Sequence, residues 1–235
     1  MFGLSRKEKV NMTRRIWVAG TFAVMLGVNA LAGSTTLLGG HDTAEVSDKN
    51  PNLFAPAGST FAIWGVIYLL LAGYVVYQLG WLGKLKHAKV KLETIERIAP
   101  YVIASSVLNA LWIFAWQYEV LWLSVVLIFG LLYSLARIEE ILRDKEYSLT
   151  ERMLVRNPFA IYFGWISVAS IANVTTWLVS IGWNGGGIKP DIWTIGMLIV
   201  AAILGIVVMY RNRNYAYGLV FVWAFYGILA KHVTT

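Results

Sequence analysis

Long apolar blocks alternate with short polar segments along all 235 residues of the chain. The blocks fall at about 16–38, 60–81, 99–118, 120–138, 158–181, 191–210 and 215–230. Each is near the ~20 residues a helix needs to cross the hydrocarbon of a bilayer, the last being the shortest. None alternates with a period of two, which excludes a β-barrel of ~10-residue strands. Backbone groups in hydrocarbon must be satisfied within their own segment, so helix is the natural state. The pattern predicts an all-α, polytopic membrane helix bundle with seven spans. The polar stretches between them are too short to build a core of their own.

Lys and Arg orient the spans. Of the 20 basic residues, 17 fall in the N-terminal segment and in the loops that share its side of the membrane. Only Lys49, Lys189 and Lys231 fall on the other side. Cytoplasmic loops carry the excess of positive charge, so the N-terminus is expected inside and the C-terminus outside. Pro56, Pro100, Pro158 and Pro190 each stand at or just before a predicted helix start, and no proline is expected to interrupt a span. Residues 1–32 also have the outline of a secretory signal, with a basic start and Ala30-Leu31-Ala32 as a small-residue cleavage site. The apolar stretch continues through Leu37-Leu38, longer than a signal core, which favours a retained helix.

Composition sharpens this picture. Charged residues make up 14% of the chain and hydrophobic ones 58%, against roughly 25% charged in a soluble domain. The net charge of +7 sits at the ends of apolar blocks, so it serves to anchor helices beside anionic headgroups rather than to bind nucleic acid. The absence of cysteine excludes disulfides, thiolate catalysis and cysteine metal sites. His41, His87 and His232 are far apart and form no metal-ligand pattern. The interiors of the predicted spans contain no ionisable residue, which speaks against a relay of embedded carboxylates. Gly185-Gly186-Gly187 lacks the ending of a phosphate loop and is expected to be a flexible turn.

The distinctive chemistry is aromatic: eleven tryptophans stand beside twelve tyrosines. An interfacial belt accounts for Trp17 and Trp81 at the inner face, and for Trp116, Trp122, Trp183 and Trp193 at the outer face. Trp64, Trp112, Trp165 and Trp223 fall deeper, with Trp177 between. Asn109, Trp112 and Trp116 share one helical face of the third span. Trp165, Ala169, Asn173 and Trp177 trace a face of the fifth, and Trp64 and Tyr68 lie four apart in the second. An amide in hydrocarbon needs a partner, so Asn109 and Asn173 should face protein and draw those tryptophans inward. Aromatic planes and two amides would then gather at one level beneath the outer loop 39–59. Two readings stay open on spacing alone: a pocket for a flat hydrophobic ligand, or helix packing with tryptophan as filler.

At these residues the chain resembles the tryptophan-rich sensory protein family, the TspO/MBR or translocator (peripheral benzodiazepine receptor) family. Pro158 to Trp177, with Trp165, Ala169, Asn173 and Trp177 spaced by four, is similar to that family's fifth helix. Leu108-Asn109-Ala110-Leu111-Trp112 is similar to a segment of its third helix, and Pro56 through Trp64 and Tyr68 to the start of its second. The family's double-proline approach to helix two is reduced here to Phe54-Ala55-Pro56-Ala57-Gly58, and spans six and seven have no counterpart in its five-helix core. The division expected from this is a cytoplasmic segment 1–15, a five-helix core 16–183 and two further spans in 184–235.

The resemblance implies a multi-pass binding or sensory protein of a bacterial inner membrane, taking porphyrins or other flat hydrophobic molecules. Its ligand-binding residues would be Trp64, Tyr68, Asn109, Trp112, Trp165, Ala169, Asn173 and Trp177. No catalytic residue, metal or obligate cofactor is implied, although Trp64 would be the indole proposed to react with porphyrin in some members. A frequent homodimer is implied too, through small residues of the third span, here Ala104, Ser105, Ala110 and Ala115. The rival readings are export of such molecules, porphyrin breakdown centred on Trp64, and a purely structural role for the aromatics.

Overall fold

The computed structural model describes residues 6–34, 38–40, 43–81 and 89–234, the side chains of residues 6–11, Ser34 and Thr234 excepted. Leu37, His41, Lys84, Lys86 and His87 lie outside the described residues. The elements run α1 (Arg6–Ser34), α2 (Thr43–Asp48), a 3-10 turn (Gly58–Ala62), α3 (Ile63–Gln78), α4 (Leu92–Gln117) and α5 (Leu121–Leu142). There follow α6 (Leu149–Glu151), a π-helical turn (Arg152–Arg156), α7 (Asn157–Ser180), a 3-10 turn (Gly185–Gly187), α8 (Pro190–Asn212) and α9 (Tyr215–Thr234). Among the described residues, seven stretches are long and apolar enough to cross a membrane: Met12–Gly33, Gly58–Gln78, Leu92–Gln117, Leu121–Leu142, Leu149–Ser180, Pro190–Asn212 and Tyr215–Val233.

Five helices close a ring. Helix α1 packs on α4, α4 on α5, α5 on α7, α7 on α3, and α3 returns to α1. The hairpin α8–α9 is attached outside this ring, with α9 against α7 and α8 mainly against α9. Gly164 makes the α7–α9 approach close, since a Cβ there would stand 2.8 Å from the Tyr217 carbonyl oxygen. Tyr217 completes the contact by donating to Ser167 Oγ (3.0 Å). Most of α8 stays uncovered, and Ile192, Ile195, Ile199, Ile203 and Ile206 form an exposed apolar face suited to hydrocarbon. Ser105, Ala110 and Ala115 of α4 are buried within the bundle, and Ala104 is half-buried.

Several helices extend further than the apolar blocks that announced them. Pro100, expected at a helix start, lies inside α4, which begins at Leu92. It is tolerated there because neighbouring helices and local adjustment can serve the groups it leaves free. Pro158 follows a helical run that starts at Leu149. Pro190 does open α8. The glycine turn is pinned rather than loose: Trp193 Nε1 donates to the Gly185 carbonyl (2.7 Å).

The helical runs extend past the apolar blocks, and the extensions bring ionisable residues into the bundle. Arg156 and Glu139 form a buried ion pair (3.0 Å) between α5 and the start of the fifth span. Arg156 Nη2 also donates to the Asn212 carbonyl (2.5 Å), the last of α8. A guanidinium therefore sits at a helix C-terminus, where unpaired carbonyls and the macrodipole favour a cation. The Tyr147 ring lies 5.9 Å from the same guanidinium. Nearby, Glu151 accepts from the backbone N–H groups of Lys89, Val90 and Ser148 and from the Tyr77 hydroxyl, fastening Lys89-Val90 to the start of the fifth span.

Candidate functional site

At the end of the bundle poor in Lys and Arg, residues 38–40 and 43–62 form a cap between α1 and α3. It includes Gly39, α2, a turn at Leu53-Phe54 and a 3-10 turn. Gly39 is required by geometry: its φ is +68°, and a Cβ there would fall 2.2 Å from the Gln117 carbonyl oxygen. Beneath the cap lies a cavity. Thr43, Ser47, Phe54, Pro56 and Phe61 form its roof, Trp64 comes from α3, and Trp112 and Trp116 from α4. Trp165, Val168, Ala169, Ala172, Asn173 and Thr176 of α7 make the largest wall, and Ala224 and Ile228 of α9 close the side.

The rings are arranged around Trp64. It stacks on Tyr68 (centroids 5.5 Å apart, planes at 16°), is tilted on Trp112 (6.1 Å), and meets Tyr162 (6.0 Å) and Trp165 (6.2 Å) edge to face. Trp112 stacks in turn on Trp116 (5.7 Å, 25°), and Phe61 meets Trp165 edge-on (6.0 Å). Offset and edge-on arrangements are those favoured by aromatic quadrupoles.

Polar groups fix these rings. Trp112 Nε1 donates to Asn173 Oδ1 (2.9 Å), Asn173 Nδ2 donates to Ser124 Oγ (2.8 Å), and Ser124 donates to the Leu121 carbonyl (2.8 Å). One buried chain thus joins α4, α7 and α5. Trp116 Nε1 donates to the Thr43 carbonyl (3.1 Å), tying the cap to α4. Trp165 Nε1 is buried and has no partner among the described residues. The lining contains no Asp, Glu, Lys, Arg or His.

The last helix is bound to the cap at several points. Ala57 N donates to the Gly227 carbonyl (3.0 Å) and Trp223 Nε1 to the Thr60 carbonyl (2.9 Å). Lys231 pairs with Asp48 (2.7 Å), and His232 Nε2 lies 2.9 Å from the Leu53 carbonyl oxygen. As it stands, the cavity has a volume of about 40 Å³, room for a few waters and far below the ~300–1,000 Å³ of a drug-sized pocket.

Of the eight residues the sequence nominated, Trp64, Trp112, Trp165, Ala169 and Asn173 line the cavity. The other three stand behind or beside it. Tyr68 backs Trp64. Asn109 is fully buried and accepts from Asn29 Nδ2 of α1 (2.6 Å). Trp177 is half-buried against the core. Trp116, assigned by sequence to the interfacial belt, is buried and lines the cavity instead. Its spacing of four from Trp112 was the signal that marks it. Ala224 and Ile228 carry no such signal, because spacing within α9 does not say which helix it will cover.

The family model described as TSPO-like protein matches residues 15–235, running from within α1 through α9 and so taking in the outer hairpin as well as the ring. No curated protein and no solved structure gives a significant match.

Proposed function

The chain belongs to the TSPO-like protein family, and on that premise we propose that it is a binding or sensory protein of the inner membrane. Its ligands are flat hydrophobic molecules such as porphyrins, taken up in the cavity beneath the outer cap. One observation carries the reading: four tryptophans wall a single apolar cavity that contains no ionisable side chain. Packing alone needs no cavity, since interiors otherwise close to crystal density. A macrocycle enters a space of about 40 Å³ only if a wall moves. The cap is the wall that moves, because α3, α4, α7 and α9 are packed helix on helix whereas the cap only rests on their ends. Ala169 sets the depth: any larger side chain at that position fills space that a ligand would need.

The test is a tryptophan-fluorescence titration of the purified protein with protoporphyrin in detergent, beside Ala169→Leu and Trp64→Phe. Saturable quenching at micromolar ligand, weakened about tenfold by Ala169→Leu, is the expected result; one lost or blocked contact of this kind is worth ~1.4 kcal/mol. Quenching that never saturates, or is equal in all three proteins, means that porphyrin merely dissolves in the micelle, and the ligand assignment falls.

A further inference from the structure

A second polar cluster lies at the opposite end of the ring, among helices α1, α3 and α4 at the side rich in Lys and Arg. Arg15 of α1 and Glu96 of α4 face each other there, with Arg15 Nε 3.6 Å from Glu96 Oε1. That is an ion pair but not a hydrogen bond. Arg15 Nε and both Glu96 carboxylate oxygens are buried and have no hydrogen-bond partner among the described residues. The Tyr74 hydroxyl of α3 is in the same condition, and its residue is 1% exposed. The charges of Glu96 and Arg15 both act on that hydroxyl. The Tyr74 ring is packed edge to face on Phe159 (4.8 Å), which keeps it in place. Gln78, buried one turn further along α3, donates to the Arg15 carbonyl (3.0 Å) and fixes the backbone from which Arg15 projects.

Buried polar groups are nearly always paired, so four unpaired atoms in one cluster need an explanation. A buried ion pair is tolerable only if its remaining donor and acceptor capacity is met. The chemistry of the cluster selects what meets it. Arg15 Nε only donates, the Glu96 carboxylate only accepts, and the Tyr74 hydroxyl does either. An ion of either sign would be repelled by one member of the pair. A small neutral molecule that donates and accepts at once suits all three. A polar contact wider than about 3.5 Å is also the spacing at which water intervenes. Arg15 and Glu96 keep 21% and 11% of their side-chain surface exposed, which leaves water a way in from the inner side.

We infer that this cluster is a hydration site: a bound water accepts from Arg15 Nε and donates to Glu96, and the Tyr74 hydroxyl completes its coordination. The site is separate from the capped cavity and does not depend on what that cavity binds. It lets a charged pair lie inside the bundle, and it joins α3 to α1, a seam with little packing elsewhere in the ring.

Two measurements on the full chain in detergent test it. In protein labelled with nitrogen-15 arginine, the Arg15 signal is identified by its loss in Arg15→Lys. Its Nε proton should give NOE and ROE cross-peaks to water of opposite sign, the mark of a bound molecule; proton exchange with bulk solvent gives equal signs. The second measurement reads the direction of a stability change. Removing a bonded hydroxyl leaves its partner unpaired, whereas removing an orphaned one relieves a penalty. Tyr74→Phe should therefore lower the thermal midpoint by about 2–4 °C, the change one hydrogen bond makes in a chain of this size. Cross-peaks of equal sign, no cross-peak, or a midpoint that holds or rises overturns the site.

Discussion

Asn173 shows how much one side chain holds in this bundle. Its amide receives the Trp112 indole and donates to Ser124, so three helices meet at one residue. Asn173→Leu leaves a buried indole N–H unpaired. Its expected penalty is about 1–2 kcal/mol, the upper part of what polar contacts contribute in membranes. Reversible unfolding in mixed micelles measures it, and a variant as stable as wild type would show that the chain of bonds carries no load. The amide's burial was legible, because an asparagine in hydrocarbon must turn to protein; its partners were not, since they lie 61 and 49 residues away in the sequence. Gly227 makes a different point. A Cβ there would fall 2.1 Å from Thr60 Oγ1, so Gly227→Ala should lower the thermal midpoint. Thr60→Gly in the same chain should restore most of it, an interaction read from a double-mutant cycle.

At the scale of elements, hydropathy located the spans and misjudged where helices end. Glu93, Glu96 and Arg97 read as loop, yet α4 already includes them. A charge marks the edge of hydrocarbon, not the end of a helix, and α4 continues past that edge towards the basic end. The same confusion hid Glu139 and Arg156, which look like edge charges until α5 and the fifth span pack together and bury them. Arg156 then does two tasks at once, pairing a carboxylate and capping α8. Arg156→Met should destabilise by about 3–5 kcal/mol, because it strands a buried carboxylate. Arg156→Met with Glu139→Leu should recover a large part of that and keep a residual loss from the uncapped α8. Chemical denaturation of the two variants decides it: equal losses would mean that Glu139 is not stranded. The Lys231–Asp48 pair is exposed by comparison, and Lys231→Ala is expected to change stability by no more than ~1 kcal/mol.

The whole molecule is a five-helix ring with an external hairpin that reaches over to the outer cap. The ring was legible as five apolar blocks joined by motif, and so was the gathering of tryptophans at its outer end. That the seventh helix would wall the site was not, because nothing in the periodicity of 215–230 distinguishes a face turned to lipid from one turned to Ala172 or Thr60. This arrangement predicts that the cap is only as ordered as its attachment to α9. Hydrogen exchange of residues 43–62 should be slow in the wild type and markedly faster in Gly227→Leu, with α4 and α5 unchanged. Equal exchange in the two proteins would mean that the cap holds itself.

The cap and the helix that fastens it are made at different times. Their bonds join residues 163 to 183 positions apart. At ~5–20 residues per second, a ribosome takes on the order of ten to forty seconds to cover that distance. Through that interval the ring can be inserted while its aromatic end lacks one wall. Until α9 arrives, the nascent ring lacks the side of the cavity that Ala224 and Ile228 close.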